Sequence, residues 1–270
     1  TYKNVAIDKI KDIEDSEVIK EAYKNVDLGY SFLDNRQIET KPFLSIKAFD
    51  NTSFSKKNVK LIKGRFPKNS NELVISDSIY ENKGFKYNIG DKLNINVGQR
   101  ILGDEILSNN NTYPSIDAAG IQESFVNKYT KEYIIVGIIE RPKFEAFYSP
   151  GYTAITYLDK TLLSSITAIN IDVISKNPKS CYDDLDKLAK KANVLEVDFN
   201  SNLLRWYGVT GTDNGNSMLY MMGLILIIVI MIASIIVIYN SFSISITERK
   251  KQFGMRSEER RVGKECRSRW

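Results

Sequence analysis

Hydrophobic and polar positions change places in short runs as far as Phe199, and then the pattern gives way to one unbroken apolar stretch. The short runs predict strands at Phe43–Phe49, Glu72–Ser76, Lys92–Val97, Tyr133–Ile139, Thr153–Leu158, Ala168–Ser175 and Val194–Phe199. A helix is predicted over Ser16–Asn25, with Ser16 as cap and Val18, Ala22 and Val26 spaced by four beside Ile19 and Tyr23. A second opens at Asn177-Pro178, a capping residue followed by a proline in the first turn, and presents Tyr182, Leu185, Ala189 and Ala192 on one face. Between Gly103 and Glu123 a stretch rich in Asn, Ser and Asp reads as a mobile loop or an excursion between subdomains. The layout is α+β, with strands that read as half buried.

Met218–Tyr239 is different in kind. Its 22 residues carry no charge, and 17 of them are Ile, Leu, Val or Met. As a helix it reaches roughly 33 Å, against about 30 Å of bilayer hydrocarbon. Its Leu, Ile and Val residues favour insertion by very roughly 4 to 8 kcal/mol. A buried helix of a soluble protein seldom stays apolar around its whole circumference for six turns, so a single transmembrane helix is expected. Tyr220 and Tyr239 stand near its two ends, where amphipathic rings prefer the headgroup region. Glu248-Arg249-Lys250-Lys251 follows the span, whereas Gly208–Ser217 before it has Asp213 and no Lys or Arg. Basic flanks stay in the cytoplasm, so residues 1–217 are expected outside and residues after 239 inside. Trp206-Tyr207, shortly before the span, are assigned to packing or to the membrane surface.

Charge then has to be read by region. The chain carries 38 Lys+Arg and 33 Asp+Glu, a formal net of +5. Residues 248–270 hold nine basic and four acidic groups, which leaves 29 of each in residues 1–247. The basic balance therefore belongs to the flank and tail and gives no argument for nucleic acid. Residues 256–270 differ in composition from the rest and resemble a translated sequencing-adapter oligonucleotide, so they are set aside from the fold. No Met precedes Met218, and an exported domain needs a segment to send it across. A further membrane helix upstream of Thr1 is therefore expected, with the chain an internal piece of a longer frame. Cys181 is the only cysteine of the outer region, so no disulfide can form within it, which fits a bacterial rather than an animal surface.

Chemistry is sparse. The chain has no His, which removes Ser-His-Asp and Cys-His nucleophile systems and most zinc sites. It has no P-loop string either. Asp183-Asp184 fall at a helix start, where they suit the macrodipole better than catalysis. No enzyme activity, metal or cofactor is expected. Gly64-Arg65-Phe66-Pro67 and Gly90-Asp91 read as turns, and Gly137 within an apolar strand as a bulge or a close backbone approach.

Four strings carry a resemblance. They are Leu61-Ile62-Lys63-Gly64-Arg65-Phe66-Pro67 followed by Asn71-Glu72-Leu73-Val74-Ile75-Ser76, then Ile89-Gly90-Asp91-Lys92-Leu93, then Tyr133-Ile134-Ile135-Val136-Gly137-Ile138-Ile139. The most specific is the fourth, Asn240-Ser241-Phe242-Ser243-Ile244-Ser245-Ile246-Thr247-Glu248-Arg249-Lys250-Lys251-Gln252-Phe253-Gly254-Met255. Together they resemble the FtsX-like and MacB-like permease subunits of bacterial ABC transporters, though Gln252 stands where that family often has Glu. The resemblance covers residues 218–255 well and the rest loosely. It implies an extracytoplasmic α+β domain of the MacB-like periplasmic core type over 1–217, a span from Met218 to Tyr239, and a cytoplasmic coupling segment over 240–255. It implies a bacterial cell-membrane protein whose partners are a separate cytoplasmic ABC ATPase, the lipid bilayer and a second permease half in a dimer or pseudo-dimer. In that family the segment after the span touches the ATPase, and the outer domain moves as a lever. Glu248, Arg249, Lys250 and Gly254 are the residues expected at that contact. The competing expectation is a single-span receptor or sensor with an outer binding module. The uninterrupted frame separates them: two further spans after Met255 and an adjoining ATPase gene for a permease, a polar domain for a receptor.

Overall fold

The computed structural model describes residues 1–33, 37–209, 211 and 213–267, with the side chains of 213–216 and 261–267 left aside. Its strands are β1 (Tyr2–Ala6), β2 (Ile19–Phe32), β3 (Phe43–Phe49), β4 (Leu61–Gly64), β5 (Glu72–Ser76), β6 (Lys92–Leu102), β7 (Glu105–Ile106), β8 (Ser124–Ile139), β9 (Gly151–Tyr157), β10 (Ala168–Ser175) and β11 (Glu196–Val197). Its helices are α1 (Ile10–Glu14), α2 (Asn51–Lys56), α3 (Lys160–Ser165), α4 (Cys181–Lys191), α5 (Ser201–Trp206) and α6 (Asp213–Arg267). The chain divides into two units, Thr1–Asn200 and Ser201–Trp270.

In the first unit all eleven strands belong to one sheet, in the order β11-β1-β10-β2-β3-β9-β5-β8-β6-β7 with β4 added on β8. The pairs β3–β9 and β5–β8 are parallel and the others antiparallel. The sheet curls until β6 meets β2 again at Tyr30 and Gly98, so six strands enclose a barrel-like core. Two glycines make that seam possible. A Cβ on Gly29, whose φ is +131°, would lie 2.3 Å from Gly98 O, and one on Gly98 would lie 2.3 Å from Val126 O.

Alternation along the strands sorts side chains between two clusters. Leu44, Ile46, Leu73, Ile75, Leu93, Ile95, Tyr133, Ile135, Tyr152 and Ala154 fill the enclosed side. Val74, Val136 and Ile155, their neighbours in sequence, join Phe49, Phe54, Val59 and Ile139 on the other. Strands β3, β5 and β9 are therefore buried on both faces, which corrects the half-buried expectation. Phe43–Phe49, Glu72–Ser76 and Ala168–Ser175 form strands with the expected limits; β6 and β8 run beyond theirs because they pair with each other from Lys92–Ile134 to Ile101–Ser124.

The helix expected over Ser16–Asn25 is a strand. Ile19–Phe32 lies between β10 and β3 and is hydrogen-bonded to both, and ladders on two sides outweigh a helical spacing of three small or β-branched residues. Its Ser16 closes a turn instead, accepting from Ile19 N–H at 3.1 Å. The second expected helix is present. Asn177 caps a short 3-10 turn at Pro178–Ser180 that leads into α4, and Leu185, Ala189 and Ala192 are buried as its spacing requires. Tyr2 hydroxyl donates to Leu185 O at 2.8 Å and ties α4 to β1.

The polar stretch from Gly103 to Glu123 is organised by a buried cation. Arg100 is fully buried, and all five of its N–H groups are used: Nε and Nη2 on the Glu123 carboxylate at 2.8 and 2.6 Å, and the rest on the carbonyls of Ser108, Asn111 and Thr112. The rings of Phe43 and Tyr30 lie 5.3 and 5.6 Å from the guanidinium carbon. Arg100 thus gathers the excursion onto the seam of the barrel. Arg100→Met leaves the Glu123 carboxylate buried without its cation and is expected to destabilise the domain by about 3 to 5 kcal/mol. Urea unfolding of the variant beside Arg100→Met/Glu123→Leu checks this, since removing both charges is expected to recover part of the loss.

Candidate functional site

The three outer-domain strings singled out by sequence meet on β8. Gly64 of β4 pairs directly with Gly137 of β8. A Cβ on Gly64 would stand 2.3 Å from Val136 O, and one on Gly137 would stand 2.6 Å from Arg65 O, so neither position admits a side chain. The β5–β8 ladder also shifts register between Leu73 and Val74, opposite Gly137. Both expectations for Gly137, a bulge and a close approach, describe it. From the second string, Gly90 N–H donates to Ile135 O at 2.8 Å and Asp91 O accepts from Ile135 N–H at 3.1 Å. Asp91 also closes its own turn through Asn88 N–H.

The turn after β4 is held by charge. Arg65 grips Glu72 with two N–H groups at 2.6 Å each, and Lys68 N–H donates to the same carboxylate at 2.8 Å. The Arg65 guanidinium, helped by that backbone donor, holds the Glu72 carboxyl at about 2, against an ordinary value of 4.5. These residues build a joint between β4, β5, β6 and β8.

Other buried carboxylates are likewise matched. Glu145 accepts from Lys41 at 2.8 Å and from Thr153 N–H at 3.0 Å, and Asp172 accepts from Lys57 and Asn25 at 2.6 Å each. Asp183 and Asp184 lie in the first turn of α4, as the macrodipole favours. Among the described residues no group of three or more His, Cys, Asp or Glu is placed to hold a metal ion. Cys181 is buried and free, and burial raises its thiol pKa, which keeps it an unreactive thiol.

The second unit is dominated by α6, whose 55 residues extend about 80 Å. Met218 and Tyr239, the expected limits of the span, both lie within it and are exposed, and no part of its apolar stretch is buried inside the protein. It is long and apolar enough to cross a membrane. Two hydroxyls turn back onto the helix: Ser234 donates to Ile230 O at 2.8 Å and Thr247 to Ser243 O at 2.7 Å. The helix passes through residues 239–240 and 255–256 without a break, so neither expected boundary is marked in the backbone. Glu248, Arg249, Lys250 and Gly254 fall on consecutive turns, all exposed. No ion pair joins Glu248 to Lys251 among the described residues. A Cβ on Gly254 would meet nothing within 4 Å.

Sequence reasoning missed Arg100 with Glu123 and the seam glycines Gly29 and Gly98. It took Arg65 and Glu72 as family marks without pairing them, although an Arg seven residues before a Glu across a Pro turn was the available signal. A carboxylate whose folded pKa is depressed stabilises above its ordinary value and loses that contribution as pH falls. Stability from the Arg65–Glu72 pair is therefore expected in full above pH 4.5 and to fade towards pH 2. Thermal unfolding as a function of pH checks this: Glu72→Gln is expected to lower stability at pH 7 and to flatten the pH dependence across that window.

No family model matches the chain, and no curated protein matches it. Among solved structures, the periplasmic region of MacB from Actinobacillus actinomycetemcomitans is similar over 71% of this chain and 76% of its own, at 12% identity and a TM-score of 0.42. The extracellular domain of the noncanonic ABC-type transporter YknZ from Gram-positive bacteria is similar over 77% of this chain and 87% of its own, at 10% identity and a TM-score of 0.40. The mixed sheet domain described above resembles these two domains in fold, and in this chain one long apolar helix follows it.

Proposed function

We propose that this chain is a permease subunit of a bacterial ABC transporter, in which residues 1–217 stand outside the cell membrane, Met218–Tyr239 crosses it, and residues 240–255 couple to a separate cytoplasmic ATPase. The observation that carries the reading is the continuity of α6, which brings the apolar stretch and the Glu248-Arg249-Lys250-Lys251 cluster into one helix. A helix hydrogen-bonded without interruption transmits tilt and rotation from one end to the other, and Asp213–Arg267 contains no proline to kink it. The exposed Glu248, Arg249 and Lys250 present both charge signs to a partner surface. Nucleotide state on the ATPase then biases the tilt of the helix, and the outer domain reads that tilt as movement. The basic flank places the ATPase end inside. A second permease half, in a dimer or pseudo-dimer, completes the arrangement. Residues 256–270 have no part in it.

The test is stimulation of the partner ATPase by the permease in lipid vesicles. Glu248→Ala/Arg249→Ala is expected to leave the outer domain's unfolding curve unchanged and to abolish the stimulation; stimulation that survives the double change sinks the coupling role.

Gly254 gives an independent check. Nothing within the chain opposes a methyl group there, and Ala is favoured over Gly in a helix by about 1 kcal/mol. Gly254→Ala is expected to raise helix content slightly in circular dichroism yet reduce ATPase stimulation, because the added methyl meets the partner's surface.

A further inference from the structure

Helix α5 ends in a way that holds two aromatic side chains in the open. Val209 N–H donates to Leu204 O at 3.0 Å, Gly208 N–H donates to Arg205 O at 2.9 Å, and Gly208 takes a φ of +70°. These are the two hydrogen bonds and the left-handed residue of a Schellman ending. The apolar residues at its two characteristic positions, Leu204 and Val209, are buried. Between them Trp206 is 89% exposed and Tyr207 is 59% exposed. Neither ring meets an aromatic or cationic partner among the described residues. The turn that carries the pair is fixed by a hydrogen-bonded cap, and the membrane surface, one of the two roles open to it from sequence, is the role its exposure suits.

An indole left in water forgoes roughly 1.5 to 3 kcal/mol of burial. The residues nearby indicate what covers it. The pair is joined to Met218 by a short tether. Tyr207 to Asp213 spans at most about 20 Å, and the first turn of α6 adds about 7 Å more. Exposed Arg205 precedes the pair and supplies a cation for headgroup phosphates. Tyr220, 80% exposed at the start of the apolar stretch, is the next aromatic along the chain. A rigidly presented Trp-Tyr pair, a neighbouring cation and a short leash to a membrane helix match the preference of amphipathic rings for the bilayer interface.

We infer that Arg205, Trp206 and Tyr207 form an interfacial anchor that rests on the lipid headgroups at the N-terminal end of the span. The anchor gives α5, which belongs to the second unit, a foothold beside the point where α6 enters the bilayer. It rests on Met218–Tyr239 crossing the membrane and is independent of ATPase coupling.

The full chain with Trp270→Phe has Trp206 as its only tryptophan, and is placed in vesicles of phosphatidylcholine and phosphatidylglycerol. Trp206 emission is expected to be quenched by a nitroxide at headgroup depth more than by one near the acyl-chain end, and to be shielded from aqueous iodide. Quenching by iodide alone places the ring in water and overturns the anchor. Shielding from iodide and from both nitroxides means that a second copy or another protein surface covers the pair, and also overturns it. The control Trp206→Phe/Ile228→Trp/Trp270→Phe reports on the span and is expected to respond to the deep nitroxide. If it does so while Trp206 fails, the anchor falls and the span stands; if it does not, both fall together.

Discussion

A helix that is apolar on every side has no place in water, and the second unit follows from that constraint. From Leu219 to Ile238 the side chains of α6 stand exposed, with no face set aside for packing against the rest of the protein. At about 25 cal/mol per Å² of apolar surface, leaving such a cylinder in water costs more than a domain's whole net stability. The hydrocarbon of a bilayer is the burial that its length and composition suit. Lipid imposes its own condition, since polar groups inside it have to be satisfied within the segment. The helix meets that condition at Ser234, whose hydroxyl turns back onto the carbonyl four residues earlier.

The first unit solves a different problem, namely how to close a curled sheet while passing polar loops over its seam. Closure brings backbones nearer than a Cβ allows, so Gly29, Gly98, Gly64 and Gly137 sit where strands approach one another. The loops are then held by charge. Arg100 collects three carbonyls and a carboxylate in a buried site, and Arg65 fixes the turn between β4 and β5 through Glu72. Both arginines use the planar fork that lysine lacks. In each case the cation substitutes for packing that a polar segment cannot provide by itself.

What could be read in advance follows from this division. Strands bounded by turn residues and rich in aromatic or branched apolar side chains, such as Phe43–Phe49 and Ala168–Ser175, were legible because local preference and tertiary role agree. Ile19–Phe32 was not, because its helical spacing is local while the ladders that decide its state come from β3 and β10. The Arg100–Glu123 pair left no mark in a single sequence: its partners are separated by 23 positions, and polar residues around them read as a solvent-exposed loop. The apolar stretch was plain from composition alone. Of residues 240–255, the sequence carried the charges and their spacing, and the fold adds the continuity of the helix that bears them.

Continuity has a mechanical consequence. A lever passes on movement only if it is stiff and if the body at its far end cannot simply follow it as a passenger. The hydrogen-bond ladder of α6 meets the first condition, since no proline interrupts it. The second requires a reference point other than the helix. The proposed foothold of Trp206 on the headgroups would supply one. With it in place, a change of helix tilt would become strain between Trp206 and Met218. Under the proposed coupling, that strain is the form in which work done at Glu248 and Arg249 would reach the other side of the membrane.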